Sequence, residues 1–308
     1  MKKVNIAYLV EAHTDIEQLV RLCDALLLSG DVFVHVDKKT RDKNFWKILN
    51  RYQFNHDRVT VLHHQHYVAW AGYSQVECFQ SLLQEALVSN VRYERFLLLS
   101  GLDFPIWSPQ RIRDFFEKNL TREFVCGYDI SNSGDWSQLH KIVDYHFFRD
   151  IPLPHKSFLR RVVIGGARLT LKKLGFSRKP YLKMGREMWN IYFGSSWIGV
   201  TRPCAEYLDE KLKDKDIRAY FKTVYAPDEL CVPTIVMNSK FRRNAIKVDN
   251  LSFQGVTPLH YLNYVGSIWI YDENDFDDIV GSGKMFVRKV ISGKSEKLID
   301  LIKNTWGV

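Results

Sequence analysis

The feature that most constrains the fold is an apolar run that ends abruptly in a glycine and an aspartate. Residues 96–100 read FLLLS and carry almost no polar character, which is typical of a central strand covered on both faces of an α/β sheet. Gly101 and Asp103 follow, and Pro105 closes the turn. Because open α/β sheets bind ligands beyond the carboxyl ends of such strands, residues 100–105 are a candidate binding loop. The alternative is an ordinary strand exit with a solvated Asp103.

The first half of the chain alternates strand and helix patterns, which predicts a mostly parallel sheet flanked by helices. Thr14 followed by Glu17 forms a capping-box pattern at the start of one helix, and Ser108 before Pro109 opens another. Strand connections of this kind are right-handed. Strands are predicted at residues 5–10, 31–36, 58–62, 96–100 and 123–126.

Polar residues follow the first two strands as well as the central one. Glu11 and His13 come after the first strand, and Asp37 ends the second. An alternating α/β half often binds nucleotides at strand ends, and Asp37 and Asp103 are placed for that role. Solvated loop carboxylates give the same pattern, so the pattern by itself leaves both interpretations open.

The second half has a less regular pattern. Residues 192–202 are predicted as a strand and residues 203–222 as a charged helix. A further helix is predicted to open at residues 225–229, with Asp228 and Glu229 in its first turn, where the helix dipole favours ionised carboxylates. A glutamate directed into a cleft suits a general base that deprotonates a hydroxyl. The alternative for both carboxylates is helix capping alone.

The net charge of +9 is concentrated in one segment. Residues 156–183 contain nine Lys and Arg and neither Asp nor Glu, together with many apolar residues. A basic amphipathic segment of this kind is predicted to touch anionic lipid or an anionic substrate. The alternative is a solvated helical face that covers the core.

Length, cysteines and apolar windows bound the class of protein. A chain of 308 residues is long enough for one large core or two intimate halves. The five cysteines are dispersed without metal-ligand spacing, which indicates reduced thiols in a cytoplasmic protein. The amino-terminal apolar run is too short for a signal peptide, and no window reaches the ~18 residues of a membrane span.

The sequence lacks the motifs of two common classes of nucleotide-binding protein. Neither G-x-G-x-x-G nor a P-loop occurs, which argues against dinucleotide-binding and P-loop chemistry. D-x-D strings occur at residues 214–216 and 275–277. Both lie in charged, helix-like contexts and not at a strand end, so no metal site is predicted at either.

Seven short motifs occur in an order that resembles the core-2/I-branching β-1,6-N-acetylglucosaminyltransferase family, which includes peptide O-xylosyltransferases. They are YLVEAH at 8–13, HVDKK at 35–39, WAGYS at 70–74, LSGLDFP at 99–105, GSSW at 194–197, APDE at 226–229 and FVRK at 286–289. Each motif is weak alone, but the ordered set spans nearly the whole chain. The chain lacks the stem, anchor and cysteine set of Golgi members, so it resembles a bacterial relative.

The resemblance implies a GT-A-type α/β fold and an inverting transfer of a sugar from a UDP-sugar. It also implies a single domain over residues 1–308, with a donor half at 1–130 and an acceptor half at 131–308. By position, Glu229 would be the catalytic base. Donor-binding residues would be Val10 and Asp37 at the nucleoside, with His13 beside them, Ser100, Gly101 and Asp103 near the diphosphate and sugar, and Lys289 with Arg288 at the diphosphate. Acceptor-binding residues would be Gly194, Ser195, Ser196, Trp197 and Asp228. Family members carry a second diphosphate arginine upstream of the lysine; residues 266–267 offer none, and Arg288 would take its place.

These inferences predict a transferase that moves GlcNAc from a UDP-sugar to a hydroxyl of a glycan acceptor in bacterial surface polysaccharide or glycan synthesis. No cofactor or divalent metal is expected, because Lys and Arg would offset the charge of the leaving diphosphate. The alternatives are a transferase for xylose or another sugar, and a non-catalytic basic protein that binds nucleic acid or an anionic surface. The expected location is the cytoplasm, at the inner face of the membrane if residues 156–183 touch lipid.

Overall fold

A computed structural model describes residues 4–134, 142–151, 158–248 and 253–307. Its centre is a five-stranded sheet in the order β10-β4-β1-β2-β3. Strands β1 (Ile6–Ala12), β2 (Asp31–Val36), β3 (Val59–Val61) and β4 (Arg95–Ser100) are parallel, and β10 (Gly199–Thr201) is the antiparallel edge. The predicted α/β class, with a mostly parallel, helix-flanked sheet, is confirmed.

The other elements pack around this sheet. The described α-helices include α1 (Ile16–Leu27), α2 (Lys43–Phe54), α3 (Ser74–Val88), α4 (Pro109–Lys118), α5 (Phe158–Lys173), α6 (Arg202–Leu212), α7 (Lys215–Phe221), α8 (Cys231–Met237), α9 (Phe253–Val256), α10 (Phe276–Gly281) and α11 (Glu296–Asn304). The remaining strands are β5 (Asp103–Pro105), β6 (Cys126–Asp129), β7 (Tyr181–Met184), β8 (Glu187–Asn190), β9 (Tyr192–Phe193), β11 (Ile246–Lys247), β12 (His260–Tyr261), β13 (Tyr264–Val265), β14 (Ser267–Ile268) and β15 (Phe286–Arg288). No helix of the described residues has the length and apolar character that a membrane crossing requires.

The register of the central strands brings their polar ends side by side. Every residue of β4 is buried, as its apolar sequence predicts. Glu11 in β1 lies opposite Ser100 in β4 on one side and opposite His35 in β2 on the other. Three polar side chains from three neighbouring strands therefore meet at the carboxyl edge of the sheet.

A second, three-stranded sheet carries a distant part of the chain to the same edge. Strand β15 pairs with β5 in antiparallel register and with β12 in parallel register. The β5 register places Arg288 opposite Asp103. The loop after the central strand is thereby joined to the carboxyl-terminal motif.

Several predicted element boundaries were wrong. The capping residue of α1 is Asp15 and not Thr14: Asp15 has a φ of 53°, and its side chain accepts a hydrogen bond from the Gln18 N–H. Residues 192–202 form two short strands, β9 and β10, because the chain leaves one sheet and joins another between them. The helix predicted at 203–222 divides at Asp214, whose carboxylate caps α7.

The strand predicted at residues 123–126 begins at Cys126 instead. Glu123 faces inward and is buried, where its carboxylate accepts hydrogen bonds from the Thr201 N–H at 2.8 Å and the Thr201 hydroxyl at 2.5 Å. Phe124 pairs with Gly199 of β10 in an isolated antiparallel bridge. Residues 123–125 therefore contact β10 through this one backbone pair and the Glu123 carboxylate, and not through a continuous ladder.

Candidate functional site

A cavity of about 290 Å³ opens at the carboxyl edge of the central sheet. The ends of β1, β2 and β4 form its floor, and residues from the second half of the chain form its walls. Its lining residues are Glu11, Ala12, His13, His35, Asp37, Lys39, Val68, Trp70, Gln75, Cys78, Ser100, Ser196, Trp197, Asp228, Glu229, Ile268 and Arg288. The position is where open α/β sheets bind their ligands.

One wall carries two carboxylates on a single 3₁₀ turn, Pro227–Glu229. The turn precedes α8, so Asp228 and Glu229 lie just before an α-helix and not inside its first turn, as the sequence predicted. The Gly194 N–H donates to the Glu229 carbonyl at 2.8 Å and holds the turn against β9. A Cβ at residue 194 would lie 2.3 Å from the Cys126 carbonyl oxygen, so this close approach requires glycine.

The Ser196 hydroxyl fixes the orientation of Asp228. It donates to Asp228 Oδ2 at 2.6 Å. Asp228 Oδ1 is buried and has no hydrogen-bond partner among the described residues. A second, smaller cavity of about 20 Å³ adjoins this carboxylate and is lined by Glu11, Gln75 and Asp228 among others, which is room for about one water molecule.

Three carboxyl groups on the cavity wall have raised pKa values. Burial raises the pKa of Glu229, and the neighbouring Asp228 raises it further. Burial also raises the pKa of Asp228, against the hydrogen bond from Ser196. Burial and then the charge of Asp228 raise the pKa of Glu11 to about 8. Carboxyl groups with raised pKa values in a cleft are candidates for general acid–base chemistry.

The cavity lining also carries a guanidinium group held from two sides. Arg288 Nη1 lies 2.9 Å from Asp103 Oδ1, and the guanidinium carbon lies 4.3 Å from the centre of the Trp197 ring. The indole therefore holds the flat face of the guanidinium while the carboxylate holds one edge. This arrangement presents Arg288 to the cavity in a fixed orientation.

Asp103 lies behind the cavity wall and is fully buried. Its carboxylate accepts hydrogen bonds from the Ser100 N–H at 2.7 Å and His260 Nε2 at 3.2 Å, besides that from Arg288. Burial by itself would raise the pKa of Asp103, but the Arg288 cation and these hydrogen bonds outweigh burial and lower the pKa. The structure therefore contradicts a solvated Asp103 and places it as the support of Arg288.

The residues predicted to bind the donor on the first strands and the central loop divide into two groups. Asp37 and His13 line the cavity, and the Asp37 carboxylate accepts from the Lys39 N–H at 2.9 Å and lies 3.1 Å from Lys39 Nζ. Val10 and Gly101 are buried and lie outside the lining. The Val10 side chain therefore does not reach the cavity, and Gly101 has no side chain to direct into it.

Three other predicted residues adjoin the cavity without lining it. Ser195 is buried, and its hydroxyl accepts from the Trp197 N–H at 3.0 Å. Gly194 supports the 3₁₀ turn through its N–H. Lys289 is half-buried directly after Arg288; burial lowers its pKa, and the Arg288 cation lowers it further.

Several lining residues were not predicted as site residues. Glu11 was recognised only as a strand-end polar residue; its place in an otherwise apolar strand was the available signal. Trp70 is 65% exposed at the rim, and its motif was noted without a role. Nothing in the local sequence pattern marks Gln75, Lys39 or Ile268.

Both D-x-D strings serve as helix caps. The Asp214 carboxylate accepts from the N–H groups of Asp216 and Ile217 at the start of α7. Asp272 and Asp275 form a capping box in the 3₁₀ turn Glu273–Asp275, which directly precedes α10. Across the parts of the chain that the structure describes, no three His, Cys, Asp or Glu side chains group as metal ligands.

Comparisons with known proteins indicate the family of this chain. The profile of the Core-2/I-Branching enzyme family matches residues 6–261. The chain is 22% identical over 298 residues to the human N-acetyllactosaminide beta-1,6-N-acetylglucosaminyl-transferase, covering 92% of this chain and 67% of that protein. It is 22% identical over 256 residues to Xylosyltransferase oxt of Drosophila melanogaster, covering 78% of this chain and 25% of that protein.

The chain is thus shorter than its curated relatives, spanning about two thirds of the human enzymes and a quarter of the fly xylosyltransferase. The family profile nevertheless covers the central sheet, the 3₁₀ turn with Asp228 and Glu229, and β12. The chain therefore belongs to the Core-2/I-Branching enzyme family and is a glycosyltransferase of that family.

Proposed function

We propose that this glycosyltransferase moves GlcNAc from UDP-GlcNAc to a hydroxyl of a glycan acceptor with inversion at C1. The observation that carries the proposal is that buried carboxyl groups and a guanidinium group line the same cavity. Glu229 and Arg288 both line it. An inverting transfer needs one carboxylate to accept the acceptor proton and positive groups to hold the leaving diphosphate.

The proposed reaction uses the carboxyl group of Glu229 and the cations of Arg288 and Lys289. The Glu229 carboxylate takes the proton of the acceptor hydroxyl as that oxygen forms a bond to C1 of the sugar. The bond between C1 and the diphosphate oxygen breaks, and its electron pair leaves on UDP. Arg288 and Lys289 stabilise the charge that develops on the diphosphate. Inversion at C1 requires the acceptor oxygen to attack from the side of Glu229 while UDP departs toward Arg288 and Lys289.

The remaining lining residues supply binding. Asp37 and His13 are proposed to bind the nucleoside, since both line the cavity at the end of the first two strands. Ser196, Trp197 and Asp228 are proposed to shape the acceptor side, because they lie on the same wall as Glu229. Ser100 lies between the two groups, where the sugar would pass.

We also propose that transfer proceeds without a divalent metal. Metal-dependent sites of this type anchor the ion through carboxylates at the end of a central strand. The carboxylate in that place is Asp103, and both of its oxygens accept hydrogen bonds from Arg288, His260 and Ser100. Mg²⁺ would have to displace those partners to gain one carboxylate ligand.

The location is proposed from the state of the cysteines, and the acceptor class follows from the location. All five cysteines are buried and free, as is typical of proteins in reducing compartments. A cytoplasmic enzyme with this chemistry would build bacterial surface polysaccharide or another glycan. The second candidate is xylosyl transfer, which the similarity to Xylosyltransferase oxt favours.

A UDP-release assay over UDP-GlcNAc, UDP-xylose and UDP-glucose tests the function. We expect the largest release with UDP-GlcNAc and an acceptor glycan, and a loss of roughly 10²–10⁴-fold in Glu229→Gln with UDP binding retained. Glu85→Gln is the matched control, since Glu85 is exposed on α3 away from the cavity. Preference for UDP-xylose would replace GlcNAc as the donor, and near-normal turnover in folded Glu229→Gln would remove Glu229 as the base.

A further inference from the structure

Helix α5 presents apolar side chains to solvent. Phe158, Val162 and Leu169 are between 53% and 76% exposed. Their spacing of four and seven residues places them on one side of the helix. Leu174 and Phe176, directly after the helix, are 66% and 58% exposed. A surface helix ordinarily turns such residues to the core, so this side of α5 is suited to an apolar partner.

The other side of α5 is tied to the protein by basic residues. The Arg168 guanidinium carbon lies 4.3 Å from the centre of the Phe147 ring, and Lys172 Nζ donates to the Tyr145 hydroxyl at 3.2 Å. Arg178, which is buried after the helix, donates to the carbonyls of Ile142 at 2.8 Å and Tyr145 at 2.7 Å. These contacts fix which side faces outward.

The charge around this apolar side is one-signed. Of the nine Lys and Arg in residues 156–183, Arg168 and Arg178 point inward, whereas Lys173 and Lys179 are exposed beside the apolar side chains. No Asp or Glu occurs in the segment. Residues 156 and 157 lie outside the described part of the chain. Cationic groups around apolar side chains match a surface with anionic headgroups over an apolar interior; nucleic acid would match only the charge.

A short series of ring contacts connects α5 with the cavity rim. The Phe147 ring, under Arg168, lies 5.1 Å from the Tyr225 ring, and the Tyr225 ring lies 5.8 Å from that of Trp70. Trp70 lines the cavity. The apolar side of α5 and the mouth of the cavity are therefore separated by a few packed side chains.

We propose that this docking face, comprising Phe158, Val162, Leu169, Leu174 and Phe176 with Lys173 and Lys179, binds an anionic lipid bilayer. The apolar side chains enter the boundary between headgroups and acyl chains, and the lysines contact the headgroups. Binding there holds the cavity mouth close to the membrane surface, where a lipid-linked glycan would be presented. The docking itself does not depend on which sugar the enzyme transfers.

Vesicle flotation with the full chain tests the proposal. Vesicles of phosphatidylcholine alone are compared with vesicles of equal parts phosphatidylcholine and phosphatidylglycerol at low salt. We expect the protein to float only with the anionic vesicles. Neutralising both lysines, Lys173→Gln with Lys179→Gln, should weaken vesicle affinity about thirty-fold, since each basic residue near the surface contributes about 1 kcal/mol.

The apolar contribution has its own variant and control. Phe158→Ser with Leu169→Ser should abolish flotation while leaving the melting temperature unchanged, because both side chains are exposed. Leu301→Ser, at an exposed position of α11, should float like the unaltered chain. Equal recovery with neutral and anionic vesicles, or unchanged flotation of the serine variant, overturns the proposal. So does a dimer in lipid-free solution that the same serine variant dissociates, since the face would then bind a second copy.

Discussion

Removing the carboxylate of Asp103 is expected to cost more than removing any exposed charge of this protein. Asp103 is fully buried, and the Arg288 side chain is 12% exposed, with 2.9 Å between Oδ1 and Nη1. Breaking a buried pair by removing one partner typically costs about 3–5 kcal/mol, because the other charge stays buried without compensation. We therefore expect Asp103→Leu to lower the free energy of unfolding by about that amount at pH 7.

A double-mutant cycle isolates the pair. Arg288→Met should carry a similar cost, because it leaves the Asp103 carboxylate with only His260 and Ser100. Asp103→Leu with Arg288→Met should cost clearly less than the sum, since apolar replacements of both partners are often close to neutral. The assay is equilibrium unfolding in urea, with linear extrapolation of the free energy of unfolding to zero urea. The variants are comparable if the dependence of this free energy on urea concentration, the m-value, is unchanged.

Arg21 and Glu296 provide the matched control. Their atoms lie 3.1 Å apart, but their side chains are 30% and 40% exposed, and exposed pairs contribute about 0–1 kcal/mol. Glu296→Gln should therefore change stability by less than about 1 kcal/mol. The reasoning is refuted if the two Asp103–Arg288 single variants each lose less than that, or if the double variant loses their full sum.

The same pair sets a pH dependence of stability. The pKa of Asp103 is lower in the folded chain than in the unfolded one, through Arg288 and the hydrogen bonds from His260 and Ser100, against the opposing effect of burial. Its stabilisation is therefore fully present above the unfolded pKa and is lost as the pH falls through the folded pKa. Asp103→Leu should flatten the acid limb of a stability–pH curve.

Three further results are expected. The value of kcat/KM should rise with pH, because Glu229 must be ionised and both burial and the neighbouring Asp228 raise its pKa. Asp228→Asn should move the midpoint of this pH profile to lower pH. A midpoint that does not move contradicts the assignment of Glu229 as the base. Transfer should survive EDTA while Lys289→Ala weakens UDP binding in calorimetry; loss with EDTA and rescue by Mn²⁺ would reopen the question of a metal. Gly194→Ala should lower the melting temperature and activity together, since overpacking against Cys126 typically costs about 1–3 kcal/mol.

The central sheet could be predicted because its signals are local. The apolar run before Gly101 and the polar ends of β1 and β2 each appear within a few consecutive residues. Even so, local patterns placed the cap of α1 one residue too early. Thr14 and Asp15 both have capping side chains, and the hydrogen bond from the Gln18 N–H to Asp15 Oδ1 at 3.1 Å identifies Asp15 as the cap.

The pairing of Asp103 with Arg288 could not be predicted from local patterns, since 185 residues separate the two in sequence. Their contact depends on the antiparallel register of β5 and β15, which neither strand's pattern specifies. The outward apolar side of α5 was hidden for a related reason. Its apolar spacing fits burial as well as exposure, and the inward contacts of Arg168 and Arg178 decide between them.

The charges around the cavity assign unequal tasks to its cations. Arg288 is matched by Asp103 and Lys39 by Asp37, so each pair adds little net charge. Lys289 has no carboxylate partner among the described residues. It lies close enough to His13, which lines the cavity, to help lower the pKa of that ring, after burial and the charges of Arg288 and Lys39.

A leaving diphosphate needs both a fixed hydrogen-bond donor and net positive charge. Arg288, clamped between Asp103 and Trp197, supplies oriented donors whose charge is already balanced. Lys289 supplies the unbalanced charge. Replacing Arg288 should therefore weaken diphosphate binding mainly by removing oriented hydrogen-bond donors. Replacing Lys289 should weaken it mainly by removing electrostatic attraction, and salt should reduce that difference. The two adjacent cations are not interchangeable, because only one of them is paired.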